Sequence, residues 1–145
     1  MPSWTDTELA YLAGIIDGEG CFSISTVRKH HGARLDVVNT NARLIDWLHQ
    51  RFDGTVIFRD HPGDHVWKWK PSFTWTLCGR NMMDVLTAIA PFMIIKDAQA
   101  RLLLEYLETV RPVTGRINSP LSAVVIARRV ALKAQLSLLN KKGIA

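Results

Sequence analysis

The chain has 145 residues, of which 48% are hydrophobic, and its 18 Lys and Arg exceed its 13 Asp and Glu, giving a formal net charge of +5. This length fits one globular domain, residues 1–145, and excludes a second domain of ordinary size. The positive charge favours a polyanion over a cationic partner. The two cysteines, Cys21 and Cys78, have neither the spacing of a zinc site nor that of a disulfide framework.

The N-terminal sequence, MPSWTDTEL, lacks the basic segment and apolar core of a secretory signal. No apolar run approaches the roughly 18 residues that a membrane span requires. We therefore expect a soluble intracellular protein, cytoplasmic or organellar, with no targeting signal and no membrane partner.

The first predicted helix ends in an acidic segment that contains glycines. Apolar residues at helical spacing over residues 9–16 predict a helix from about Thr7 to Asp17, which we expect Gly18 and Gly20 to end. Small residues on this helix would let a second helix approach closely, or they would pack on the chain's own sheet. These small residues are Ala10, Ala13 and Gly14.

Two hairpins and four further helices follow, as indicated by alternating residues in the strands and by helical spacing between turn signals. The predicted ranges are strands 21–29 and 34–38, a helix 41–52, strands 55–59 and 67–78, and helices 81–90, 97–110 and 119–140. The order α-β-β-α-β-β-α, with further helices after it, predicts an α+β fold. We expect a four-stranded antiparallel sheet with helices on one face.

The second face of this sheet must meet water or a ligand. In the segment WKWKPSFTWTLC the apolar residues, among them Trp75 and Leu77, alternate with lysines and hydroxyl residues, so that one face is apolar and the other polar. Hydroxyl groups and cations suit base edges and phosphates, but they are equally typical of a solvated sheet face. The predicted polar face contains Ser23, Ser25, Lys29, Arg34, Asp36, Arg59, Lys68, Lys70, Ser72, Thr74 and Thr76.

The segment LAGIIDGEG, residues 12–20, resembles the nine-residue signature of the LAGLIDADG homing endonucleases, and it occurs once. The predicted order of helices and strands is similar to that family over nearly the whole chain. The resemblance implies that two copies of the first helix pack together at the centre of a saddle-shaped sheet that straddles duplex DNA. A single signature implies a homodimer with a palindromic or nearly palindromic target. Its implied interface contains Ala10, Ala13, Gly14 and Asp17.

The resemblance also implies metal-dependent cleavage of both DNA strands that leaves 3′ overhangs, with Mg²⁺ as cofactor and Mn²⁺ able to substitute. The implied metal ligands are the carboxylate of Glu19, which is usually Asp in relatives, and the Gly18 carbonyl. Asp17 is assigned mainly to the interface and the helix end. Carboxylates at a helix C-terminus oppose the macrodipole, and a bound cation would explain their presence.

Three further residues match polar positions around the family's metal site. The resemblance implies that Asn39 positions a water molecule, that Arg43 lies one helical turn later, and that Lys96 lies near the scissile phosphate. Asn39 is also an ordinary helix-capping residue, and Asn41 is the alternative water-positioning residue.

The leading hypothesis is thus a homodimeric, site-specific endonuclease of double-stranded DNA. Two alternatives use the same fold: an intron maturase that binds RNA, and a nuclease-inactive DNA-binding regulator. Retention of Glu19, Asn39 and Lys96 favours the nuclease over the inactive regulator.

Overall fold

Helices and two-stranded hairpins alternate in the computed structural model, which describes residues 3–27, 30–60, 71–110 and 123–141. The elements are α1 (Asp6–Glu19), β1 (Gly20–Val27), β2 (His30–Asn39), α2 (Ala42–Phe52), β3 (Thr55–Arg59), β4 (Ser72–Cys78), α3 (Gly79–Ile89), a short 3-10 helix (Ala90–Phe92), α4 (Asp97–Glu108) and α5 (Ala123–Asn140). The predicted order is confirmed. Residues 67–70 of the predicted fourth strand and 119–122 of the predicted last helix lie outside the described residues.

Helix α1 is longer than the sequence predicted. It begins at a capping box, in which Thr5 and Glu8 each accept a hydrogen bond from the other's backbone N–H, and it continues through Gly18 to Glu19. It ends at Gly20, whose backbone is extended (φ −72°, ψ 147°). Glycine is required there, because a Cβ atom would lie 2.7 Å from the backbone oxygen of Ile16. The chain therefore passes directly from the helix into β1, and Glu19 lies in the last helical turn instead of beyond it.

The four strands form one antiparallel sheet in the order β1-β2-β4-β3. Strand β2 lies between β1 and β4, with Cys21 opposite Asp36 on one side and Thr76 opposite Asp36 on the other. Strand β3 lies at the edge, where Thr55 is opposite Thr76. Side chains from all four strands consequently line up in rows across the sheet.

The helices cover one face of this sheet. Leu35 and Trp75 on the central strands are fully buried, and they belong to one core cluster with Leu12 of α1, Leu86 of α3 and Leu103 of α4. Alternate residues on the opposite face of β1, β2 and β4 are half-buried or exposed. The predicted α+β fold with helices on one face is therefore confirmed.

Helix α5 is joined to α4 by a buried arginine. Arg129 is only 5% exposed; its Nε donates to Thr109 Oγ1 at 2.8 Å, and its guanidinium lies 5.0 Å from the ring centroid of Tyr106. Burial raises the pKa of the Tyr106 hydroxyl, and the charge of Arg129 opposes that rise. Arg129 therefore binds the C-terminal end of α4 and is not a solvated surface residue.

Among the helices in the described ranges, none has the length and apolar character that crossing a membrane requires.

Candidate functional site

Three residues that the sequence singled out meet where α1 passes into β1. Glu19 is exposed in the last turn of α1, and Asn39, the last residue of β2, donates from Nδ2 to Glu19 Oε2 at 2.8 Å. The Oδ1 atom of Asn39 accepts from the backbone N–H of Asn41 at 2.7 Å. Because the Asn39 amide is bonded at both ends, it holds one oxygen of the Glu19 carboxylate in a fixed position.

The structure separates the roles of the two asparagines. Asn41 is the N-cap of α2, where its side chain accepts from the backbone N–H groups of Arg43 and Leu44. Its oxygen is thus used by the helix end, whereas the amide of Asn39 faces Glu19. Asn39 is therefore the better candidate for a residue that positions a catalytic group.

Lys96 reaches the same junction from the start of α4. Its Nζ donates to the backbone oxygen of Gly20 at 2.6 Å. The last turn of α1 contains no basic residue of its own, and its exposed carbonyls form the negative end of the helix dipole. The Lys96 ammonium supplies the missing positive charge, which explains a cation at the otherwise unfavourable N-terminal end of α4.

Asp17 is buried and bonded within its own chain. Its carboxylate, 9% exposed, accepts from the backbone N–H groups of Ile94, Ile95 and Lys96 at 2.8, 3.1 and 2.9 Å. Asp17 was predicted mainly at the interface and the helix end, and within this chain these three amides occupy its side chain. Asp17 fixes the segment that carries Lys96 against the end of α1.

Arg43 lies apart from this junction. It lines a cavity of about 610 Å³ between α1 and α2, together with Tyr11 and Trp47, whose rings meet edge to face. The structure thus brings three of the four predicted catalytic residues together and leaves Arg43 on the neighbouring surface.

The exposed face of α1 carries small residues at four-residue intervals: Ala10, Gly14 and Gly18. A Cβ atom added at Gly14 or Gly18 would meet nothing within 4 Å, so packing within this chain does not require glycine at either position. A second cavity of about 420 Å³ lies along these residues and reaches Glu19. Ala13, which was predicted at the interface, is fully buried in the chain's own core. The exposed row therefore contains Gly18 and does not contain Ala13.

The predicted polar face of the sheet exists in the described strands. Arg34 lies opposite Ser23 and Cys78, and the next row contains Asp36 and Thr76. Ser25, Ser72, Thr74 and Arg59 belong to the same face by register. Lys29, Lys68 and Lys70 lie outside the described residues.

Several solved structures with the same architecture are endonucleases in complex with DNA. The archaeal intron-encoded homing endonuclease I-Vdi141I, in complex with DNA, aligns with a TM-score of 0.73 and 19% identity over 95% of this chain and 87% of that one. The homing endonuclease I-CvuI, in complex with its target in the presence of calcium, aligns with a TM-score of 0.70 and 18% identity over 96% of this chain and 86% of that one. The LAGLIDADG homing endonuclease I-GzeII, in complex with its DNA target, aligns with a TM-score of 0.67 and 12% identity over 90% of this chain.

The chain has the LAGLIDADG homing endonuclease fold. It spans only 45% of the length of I-GzeII, in contrast to most of the length of the other two proteins. No protein-family model and no curated protein sequence matches it.

The polar sheet face also carries exposed apolar residues, which were not among those predicted for it. Val38 and Ile57 are each 50% exposed, and both lie opposite Thr74 in one row across β2, β4 and β3. Continuing the strand alternation two residues beyond Asp36, and applying it along β3, would have identified them. The face therefore has a polar row, at Asp36 and Thr76, next to an apolar one.

The donor atoms at the end of α1 suit a hard divalent cation. The described residues contain no group of three His, Cys, Asp or Glu side chains that could enclose a metal. Mg²⁺, however, is usually held by one or two carboxylates together with waters and substrate phosphates, and does not need a complete protein cage. The exposed Glu19 carboxylate fits that mode of binding.

Proposed function

We propose that the chain is a site-specific, metal-dependent DNA endonuclease of the LAGLIDADG homing family. The observation that carries this proposal is the meeting of Glu19, Asn39 and Lys96 at the end of α1. These residues come from three separate segments, and the sequence resemblance had assigned each of them to the chemistry. These contacts support a single reaction centre at the junction of α1 and β1.

The Glu19 carboxylate and the Gly18 carbonyl would hold Mg²⁺, with Mn²⁺ able to replace it. The carbonyl of Gly18 is among the last four of α1, which no amide of the helix can reach. A bound ion of this kind polarises the phosphate and lowers the pKa of an attacking water. Asn39 orients the carboxylate, and Lys96 places positive charge beside the junction, where it would stabilise charge on the departing oxygen.

A second copy of the chain would occupy the cavity along Ala10, Gly14 and Gly18. Backbones can approach closely where side chains are small, so the two copies of α1 would cross there and bring their two Glu19 residues near the twofold axis. The match to 45% of I-GzeII supports this arrangement, since that protein is long enough to hold two such units. The dimer would cut both strands of a palindromic or nearly palindromic site and leave 3′ overhangs.

The polar sheet face would contact the DNA. Two such faces related by a twofold axis would each contact half of the target. Hydroxyl residues and arginines on this face supply donors for base edges and phosphates, and the net charge of +5 favours the polyanion.

The decisive experiment is selection of cleaved sites from a randomised duplex library in Mg²⁺, with the parent protein and the Glu19→Gln variant. We expect the parent to cut a defined site, and Glu19→Gln to bind that site with similar affinity without cutting it. Asp6→Asn, a carboxylate change in the first turn of α1, serves as the control and should leave cleavage intact.

Cleavage by Glu19→Gln at the parental rate would remove Glu19 from the reaction centre. A parent protein that binds a defined site without cutting it would instead be the nuclease-inactive regulator. Preference for structured RNA over duplex DNA would favour the maturase.

A further inference from the structure

Among the described residues of the polar sheet face, which is proposed to contact DNA, one is acidic. Its carboxylate is hydrogen-bonded on both oxygens. Asp36 Oδ2 accepts from Arg34 Nε at 2.9 Å, and Asp36 Oδ1 accepts from Thr76 Oγ1 at 2.6 Å. Both carboxylate oxygens are thus bonded by neighbours on the central strands. Asp36 is 14% exposed at its side chain, whereas Arg34 is 61% exposed.

The bond to Asp36 uses only one of the five N–H donors of Arg34. The four donors on its two terminal nitrogens remain on the exposed end of the guanidinium. Two parallel donors in this planar arrangement match the O6 and N7 acceptors of guanine in the major groove, which is the most common specific contact between an arginine and a base. A phosphate contact needs no such fixed orientation.

The carboxylate restricts the rotation of the arginine before any ligand arrives. A free arginine loses side-chain entropy when it is held in one geometry, and a prior bond lowers that loss. Thr76 in turn fixes the carboxylate from the next strand. In this arrangement Arg34 is the residue free to contact a ligand, and Asp36 and Thr76 hold the Arg34 side chain in position.

We propose that Arg34 recognises a guanine at one position in each half of the DNA target, and that Asp36 positions Arg34 and makes no base contact itself. This inference rests on the proposed DNA-binding function and adds the identity of one base. Asp36 could otherwise accept a hydrogen bond from cytosine, but both of its oxygens are already bonded and its side chain is mostly covered.

The test is a binding selection from a randomised duplex library in the Glu19→Gln background, so that bound DNA is not cleaved. The Glu19→Gln protein with no further change should enrich DNA that carries guanine at one position in each half-site. Arg34→Ala should relax that position alone, with a loss of discrimination of about 5- to 150-fold, the range for one bidentate contact. Asp36→Ala should relax the same position in part, and Thr76→Val should do so to a smaller extent.

Arg59→Ala is the matched control, because Arg59 is exposed on the same face and takes part in none of the ion pairs between described residues. It should weaken binding equally for all sequences and relax no position. If Arg34→Ala behaves like Arg59→Ala, then Arg34 is a phosphate contact and the inference fails while the DNA-binding function stands.

Two other results also overturn the inference. Relaxation of a cytosine position by Asp36→Ala would make Asp36 a base contact, and a position that prefers a base other than guanine would exclude the assigned pairing. If the parent enriches no sequence at all, the proposed function itself fails and the inference fails with it.

Discussion

Asp17 and Glu19 are two residues apart on α1, and the helical repeat turns their side chains about 200° from each other around the axis. Asp17 faces the chain's interior and accepts three backbone N–H groups, whereas Glu19 faces outward and meets Asn39. The same functional group therefore has a structural role at one position and a proposed catalytic role at the other.

Asp17→Asn should destabilise the protein. An asparagine has one acceptor oxygen in place of two, and its amide nitrogen would face the backbone N–H groups that the carboxylate now binds. Leaving a buried polar group unpaired costs about 1–3 kcal/mol, so the free energy of unfolding should fall by that amount. Urea denaturation of the parent, Asp17→Asn and Glu19→Gln measures it. An unchanged midpoint for Asp17→Asn would contradict the anchoring role.

At the level of the helix, the small residues Ala10, Gly14 and Gly18 of α1 leave part of the helix surface uncovered by the described residues. Gly14→Leu should leave the helix intact, because its Cβ meets nothing within 4 Å and leucine has a helix propensity higher than that of glycine by about 0.8 kcal/mol. The added side chain would block a second helix. Sedimentation equilibrium at micromolar concentration should report a dimer for the parent and a monomer for Gly14→Leu.

Ala134→Leu provides the matched control for that change, since Ala134 is exposed on α5, far from the row on α1 in the chain. It should remain dimeric. A parent protein that sediments as a monomer, or a Gly14→Leu variant that still dimerises, would remove α1 from the interface.

The start of α1 is bonded to α2 by an ion pair that predicts a pH dependence. The hydrogen bond from Arg51 to Glu8, at 2.8 Å, holds the pKa of the Glu8 carboxyl below its usual value of 4.5, and the backbone N–H of Thr5 adds to this. A carboxyl with a lowered pKa in the folded state stabilises that state above its unfolded pKa, and this contribution is lost as the pH falls through the folded value.

Glu8→Gln should therefore have a lower Tm than the parent at pH 7, and the difference should shrink as the pH falls below 4.5. Thermal denaturation followed by circular dichroism across this range measures both proteins. Asp6→Asn changes a neighbouring exposed carboxylate that has no ion pair among the described residues, and its Tm difference should not follow this profile. A constant Tm difference between Glu8→Gln and the parent would contradict the role of the pair.

The order of elements could be predicted because alternation and caps are local signals. Glu19, Asn39 and Lys96 were selected by the resemblance, and the structure brings them to one junction. The predicted row of small residues omitted Gly18, because the helix was expected to end at Asp17. It included Ala13, which is buried in the core, because spacing alone does not show which side of a helix is covered. The bonds of Asp17 depend on a loop that is distant in sequence, and no local pattern reports such a contact.

On the scale of the whole molecule, the sheet divides the chain into an apolar side covered by helices and a polar side that the proposed function assigns to DNA. Replacing Lys68 and Lys70 with Ala should weaken DNA binding and reduce its salt dependence, since each lost phosphate contact removes about 0.9 from the slope of log K against log salt. These lysines were predicted on the polar face and lie outside the described residues.

Arg128→Ala is the control for the lysine variant, because it removes a positive charge from a different surface. Arg128 lies on α5, exposed and 3.8 Å from Glu108, and its loss should leave the salt slope unchanged. Binding isotherms between low and physiological salt give the slopes. An unchanged slope for the Lys68 and Lys70 variant would remove both lysines from the DNA surface.

The position of Glu19 in the last turn of α1 has a further consequence for selection on this protein. A carboxylate there opposes the helix dipole, an unfavourable interaction of roughly 0.3–1 kcal/mol for a charge at a helix end. A screen for thermal stability alone would therefore favour neutral replacements at this residue and discard the proposed reaction centre. Under the proposed function, only a screen that requires cleavage would keep the acid, which would make Glu19 the site of a stability–activity trade-off.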